Sequence, residues 1–189
     1  MINHKHKFIF VHIPKTGGTS IENFFGGCNK KHRSLSKMYR HLFFDIKDYF
    51  KFTFVRNPYD RIVSLFFYMV KDENRNDVNF SSFVKNEVCW RINENRSSIT
   101  RSGKRRHFSQ QVDWFENYNK NDFYIGKFEN FQKDFNVVCD KIGIPPQQLP
   151  HKNKSNHKHY SEYYNDETRT LIAKKYADDI EYFKYKFEK

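Results

Sequence analysis

The sequence predicts an α/β fold with a mainly parallel central sheet. Three observations carry this. Short apolar runs at residues 7–12, 51–55 and 122–128 have the length and composition of buried strands. Each is followed by a stretch of helical periodicity. No Pro/Gly/Ser-rich linker divides the 189 residues, so 1–189 reads as a single domain. Strands that alternate with helices pair side by side through crossover connections, which makes the sheet parallel.

Residues 7–12 (KFIFVH) form the first strand, and residues 13–20 follow as a loop containing Pro14, Gly17 and Gly18. Residues 19–25 have helical character and stop at Gly26 and Gly27, a C-cap pair. Residues 29–40 are polar and basic. The second strand, 51–55 (KFTFV), leads into a turn at Arg56 and Asn57. Pro58 then stands where a helix begins, because its missing N–H costs nothing there. Ile62, Val63, Phe66, Phe67 and Val70 fall on one helical stripe. Residues 80–90 read as another helix, with Cys89 and Trp90 as core, and 91–108 as a long basic loop. The third strand, 122–128 (DFYIGKF), precedes an amphipathic helix over 129–142, with Phe131, Phe135, Val138 and Ile142 on one face and Gly143 closing it. Pro145, Pro146 and Pro150 mark an extended connection. Tyr160, Tyr163 and Tyr164 read as packing residues, followed by a last helix over 166–176 that a turn through 179–183 continues.

Composition narrows the function classes. With 21 Phe and 12 Tyr and no short repeat, the chain is neither fibrous nor of low complexity. No run reaches the ~20 apolar residues of a membrane span. Residues 8–11 are shorter than the roughly 7–15 apolar residues of a signal-peptide core. Cys28, Cys89 and Cys139 are odd in number and far apart, without a CxxC pattern. Neither a zinc site nor a disulfide framework is therefore expected, and the residues fit a reducing cytoplasm, with peripheral membrane attachment left open. His4 with His6, and His157 with His159, lack a Cys or carboxylate at ligand spacing, so no metal is expected.

The formal net charge is +12, from 34 Lys and Arg against 22 Asp and Glu. Such a charge suits an anionic partner: nucleic acid, a phosphorylated nucleotide, an acidic polysaccharide or a membrane surface. Lys outnumbers Arg by 23 to 11, which coding bias alone would also produce. Position decides between the two. Residues 1–44 hold eight Lys and Arg and one acid, residues 95–112 hold five and none, and residues 150–161 hold three and none. These stretches carry more than the whole net charge, so the excess is local.

Gly is scarce, yet four of the seven lie within positions 17–27. Gly17 and Gly18 sit after a strand and before a helix, where backbone N–H groups can wrap a phosphate. In the string HIPKTGGTS, at 12–20, Pro14 stiffens the entry and Lys15 supplies a point charge. Thr16, Thr19 and Ser20 supply hydroxyl donors. The Lys precedes the glycines, so this is not the Walker A pattern of nucleotide triphosphatases. The plainer reading is a tight turn.

These residues resemble the 5′-phosphosulfate loop of sulfotransferases that use 3′-phosphoadenosine 5′-phosphosulfate (PAPS). The likeness is to the carbohydrate enzymes of the heparan 2-O and chondroitin 4-O type and their compact bacterial or viral relatives. FVRNPYDRIVSLF at 54–66 resembles the 3′-phosphate motif of that family, with Arg56 and Ser64 as the gripping pair. IGKFENF at 125–131 and HKNKS at 151–155 also resemble family segments, the latter bringing Lys154 and Ser155 to the nucleotide. The resemblance implies a three-layer sandwich of the P-loop-containing nucleotide hydrolase type. It implies transfer of a sulfuryl group from PAPS to a hydroxyl, with PAP as product and no metal required.

Sulfuryl transfer, like phosphoryl transfer, needs an in-line nucleophile and stabilisation of charge on the leaving group. Lys15 would neutralise that charge, Gly17, Gly18, Thr19 and Ser20 would hold the 5′-phosphate, and Arg56 can grip a phosphate through two parallel hydrogen bonds. A His suits the general base. His12, His32 and His41 lie between the two motifs. KHRS at 31–34 matches the family's placement of this residue best, which favours His32 over His41 and leaves His12 as a structural residue. Gln111, in QVDW at 111–114, resembles an element near the acceptor cleft, and Trp114 packing into a core is an equal alternative. Arg33, Arg105 and Arg106 are weaker acceptor candidates, and the basic loop around the last two favours an anionic sugar or glycolipid. Two other classes remain at this point. A P-loop small-molecule kinase lacks the Walker spacing. A basic nucleic-acid-binding module accounts for the charge but not for the loop.

Overall fold

The computed structural model describes residues 1–27, 32–39, 48–73, 77–89, 105–115, 122–149 and 157–188, the side chains of 39, 71–73, 89 and 105 excepted. Four strands form one sheet in the order β1-β2-β3-β4. They are β1 (Ile2–Asn3), β2 (Phe8–Val11), β3 (Phe50–Val55) and β4 (Phe123–Lys127). β2, β3 and β4 pair in parallel, and β1 runs antiparallel to β2. The sheet is thus mixed and mostly parallel, within an α/β architecture. β1 is an addition to the three strands expected; two residues are too short for a periodic signal.

The chain divides into two compact units, residues 1–56 with 111–152 and residues 57–110 with 153–189. The first holds the sheet. β2 is buried along its whole length, as a strand covered on both faces must be. Phe50, Phe52 and Phe54 alternate with Lys51, Thr53 and Val55 along β3, so the aromatic side chains share one face. Phe8, Phe10, Phe52 and Phe54 pack there against Ile21 of α1 (Gly18–Phe24) and against Phe135, Val138 and Cys139 of α5 (Phe131–Lys141). Gly126 of β4 lets β4 approach that face: a Cβ there would lie 2.6 Å from the Phe54 ring. On the other face the Thr53 hydroxyl donates to the Val11 carbonyl at 2.8 Å. A short helix, α2 (Leu35–Tyr39), falls inside the stretch expected only to be polar and basic.

The second unit is helical. α3 (Pro58–Glu73) begins at the proline, as expected, and buries Ile62, Val63, Leu65, Phe66 and Met69. α4 (Phe80–Phe83) runs on into a wider π-helical stretch, Val84–Cys89, where one α-helix was expected. α6 (Asp166–Lys175) and α7 (Ala177–Phe183) close the chain, the second a helix rather than a turn. Tyr160 and Tyr176 join this core, with Tyr163 and Tyr164 packed on it. Asn165 caps α6: its side chain accepts from the Thr168 N–H at 2.8 Å, and the Thr168 hydroxyl takes the Asn165 N–H in return. Arg61 is fully buried on α3, with Nη2 donating to the Ser109 carbonyl at 2.5 Å and the guanidinium 5.3 Å from the Tyr176 ring centroid. No described helix is long and apolar enough to cross a membrane.

Candidate functional site

The loop after β2 packs its two glycines closely against aromatic rings. Gly17 has φ +82°, in the left-handed region, and a Cβ there would lie 2.7 Å from the Phe131 ring. Gly18 has the His12 ring directly over it, and a Cβ would lie 2.1 Å from His12 Cδ2. A side chain at either position would have to displace a packed ring. The buried Thr16 hydroxyl donates to the Ile13 carbonyl at 2.9 Å, so its hydrogen serves the loop itself. The Ser20 N–H donates to the Gly17 carbonyl at 2.9 Å and starts α1. Thr19 is exposed at that start, Pro14 and Ser20 are buried, and Lys15 is half-buried with φ +68°. Burial, and after it the neighbouring Arg56 guanidinium, lower the Lys15 ammonium from 10.5 to about 8.

His12 sits between this loop and the proposed base. Its Nδ1 lies 3.1 Å from Glu22 Oε1, at ion-pair distance, and both side chains are buried. Glu22 is the one acid among residues 1–44, a signal in the sequence whose partner only the fold reveals. The His32 ring packs edge-on against His12, with centroids 4.4 Å apart, and stands 6.4 Å from the Trp114 ring. His32 Nδ1 lies 3.2 Å from the His12 carbonyl. A carbonyl only accepts, so that nitrogen carries the hydrogen in the neutral ring.

Arg56 follows the last residue of β3. Gln111 holds it by the main chain: Oε1 accepts from the Arg56 N–H and Nε2 donates to the Arg56 carbonyl, each at 2.9 Å. Gln111 is fully buried, so the structure gives it this bracing contact, where the sequence pointed to the acceptor cleft. The guanidinium lies 4.2 Å from the centroid of the Phe128 ring. Its Nη1 is 3.4 Å from the Lys15 carbonyl. Sequence reasoning missed Phe128, although it stands in the GKFENF segment already singled out.

The first unit thus brings together Lys15, Gly17, Gly18, His12, His32, Arg56 and Gln111. Arg33 is exposed beside His32. Ser64 is buried on α3 in the second unit. Arg105 and the half-buried Arg106 lie in a 3-10 turn of that unit, Arg105–Phe108. His41, Lys154 and Ser155 lie outside the described residues, as does Trp90. His157 stacks on Phe67, and His159 Nδ1 lies 2.8 Å from the Ser161 hydroxyl. Among the described residues no group of three His, Cys, Asp or Glu side chains could hold a metal ion.

An uncharacterized protein of Archaeoglobus fulgidus is 29% identical over 99 residues, 52% of this chain and 72% of that one. The crystal structure of a sulfotransferase from Alicyclobacillus acidocaldarius aligns with a TM-score of 0.42 at 20% identity, covering 80% of this chain. The chain spans 60% of the length of that structure. The profile described as "Sulfotransferase family" matches residues 1–186 and so takes in the glycine loop, the Arg56 segment and the GKFENF segment together. On that match the chain belongs to the sulfotransferase family.

Proposed function

We propose that this protein transfers the sulfuryl group of PAPS to a hydroxyl of a carbohydrate or glycolipid acceptor. The observation that carries the reading is a pair of like charges. Arg56 Nη1 lies 3.4 Å from the Lys15 carbonyl, and burial first and Arg56 second lower the Lys15 pKa. Two cations held close beside a glycine loop suit an anion. A 3′,5′-substituted nucleotide with a phosphosulfate supplies that anion, and its sulfuryl group is already activated for transfer.

The residues divide the work. Lys15 offsets negative charge on the phosphate oxygen as the S–O bond breaks. Gly17 and Gly18 let main-chain N–H groups reach the 5′-phosphate, with Thr19 and Ser20 at the start of α1 beside them. Arg56 takes the 3′-phosphate. His32 removes the acceptor proton through Nε2, the nitrogen left with the lone pair by the contact of Nδ1 with the His12 carbonyl. We read the whole chain, 1–189, as one sulfotransferase domain of the three-layer P-loop-like type. Lys154 and Ser155 belong to its nucleotide cover on the strength of the family resemblance. The basic stretch at 95–112 supports an anionic sugar.

Thermal denaturation with adenosine nucleotides tests the donor. PAP should raise Tm in a saturable manner, and AMP and ATP should not reproduce the shift. Equal shifts with all three would overturn the reading. Transfer of labelled sulfate from PAPS across a panel of glycans and glycolipids tests the acceptor. Transfer to none of them, with PAP bound, would remove the carbohydrate assignment.

A further inference from the structure

We infer that Phe128 and Gln111 are positioning residues for Arg56, and that they set how strongly this protein distinguishes a nucleotide bearing a 3′-phosphate from one without it. The inference rests on the reading of Arg56 as the 3′-phosphate grip.

Strand register sets Arg56 and Phe128 side by side. β3 and β4 run parallel, and their last paired residues are Val55 and Lys127. One step further along each strand come Arg56 and Phe128, outside the ladder but still adjacent. Beyond the ladder, the N–H and C=O of Arg56 need other partners. Gln111 supplies both, its side-chain amide accepting from one and donating to the other at 2.9 Å. It does for one residue what another strand would do, and it fixes where the Arg56 side chain departs from the backbone.

The guanidinium is fixed separately. Its Cζ lies 4.2 Å from the Phe128 centroid, a cation–π distance. The ring holds the guanidinium on one side, and Nη1 lies 3.4 Å from the Lys15 carbonyl, so the group is placed from two directions. The ring is itself held from behind: Phe131 packs on it at 5.5 Å, and a Cβ on Gly17 would lie 3.1 Å from its Cε2. Phe128 therefore links the glycine of the phosphate loop to Arg56. An arginine with three CH₂ groups normally loses rotamer freedom when it binds an anion. Here the ring and the Gln111 brace restrain it beforehand, and a preorganised contact binds more tightly.

The test is the ratio of dissociation constants for AMP and PAP, measured by calorimetry on the full chain. That ratio isolates the 3′-phosphate, and a merely structural residue would weaken both nucleotides alike. Phe128→Leu should lower the preference for PAP by roughly 3–10-fold, the scale of a partly desolvated cation–π contact, with AMP binding changed less than about twofold. Phe128→Tyr, which keeps a ring face, should retain the preference within about twofold. Gln111→Met should lower it as well. If that variant fails to fold, Phe128→Leu decides. A full preference for PAP in Phe128→Leu overturns the inference and leaves the Arg56 assignment standing. No preference in the unaltered protein overturns that assignment, and the inference with it.

Discussion

At Lys15 one side chain meets two demands that oppose each other. A half-buried ammonium beside Arg56 with its pKa lowered to about 8 is poorly placed for stability. The sign follows from linkage. The folded pKa lies below the unfolded 10.5, so the fold disfavours the charged form. That penalty is fully present below about pH 8 and fades as pH rises from about 8 to 10.5. Lys15→Met should therefore leave the nucleotide-free protein at least as stable at pH 7, with any gain gone by pH 10.5. Transfer should fall by roughly 10²–10³-fold, the usual effect of losing one preorganised charge-stabilising group. Denaturant melts at the two pH values, set beside initial rates, check this. A clearly lower Tm at pH 7 would show that Lys15 contributes structure. His32→Ala should abolish transfer while PAP binding stays near normal, and retained activity would remove His32 as the base.

Two glycines of the β2–α1 stretch, Gly18 and Gly26, do different jobs. Gly26, at the end of α1, has φ +70° and open space around it, so Gly26→Ala meets only the left-handed penalty of about 1–2 kcal/mol. Gly18 has an ordinary φ and no room. His12 cannot swing away easily, since it sits at 3.1 Å from Glu22, stacks on Phe10 and carries His32 on its edge. Gly18→Ala should cost about 1–3 kcal/mol by overpacking and should also remove the PAP-dependent rise in Tm. Gly26→Ala should keep that rise. On α6, Asn165→Ala breaks the capping box and should cost about 1 kcal/mol in urea melts without altering PAP binding. A changed PAP affinity in that variant would tie α6 to the nucleotide.

The charge of +12 belongs to the molecule as a whole, and its distribution separates two kinds of partner. Attraction to duplex DNA through scattered Lys and Arg rests on counterion release and falls steeply with salt. Under the proposed function PAP would meet a loop whose Lys15, Gly17 and Gly18 are partly or fully buried, and screening reaches buried pairs less. At about 0.5 M salt DNA should no longer be retained in gel-shift assays, while the PAP-induced shift in Tm persists. DNA binding that survives such salt would restore the nucleic-acid reading. Arg61 stands apart from the surface charge. It is a buried guanidinium without a carboxylate among the described contacts, held by one carbonyl and one aromatic ring.

What the sequence by itself determined is the material written in short range: three buried strands in order, the helix starting at Pro58, the capped ends and the glycine loop. These depend on patterns of two to eight neighbouring residues, which period and turn chemistry express directly. Its segments around Lys15, Arg56 and His32 also lie within the match to the sulfotransferase family, the coarser part of the resemblance read from them. The tertiary structure alone decided which of them meet. Gln111 reaches Arg56 across 55 positions, and Phe128 reaches it because parallel register sets the two strand ends side by side. Glu22 finds His12 because one turn of α1 returns it to the end of β2. Such contacts depend on pairing between distant segments, and no local pattern records the register of a sheet.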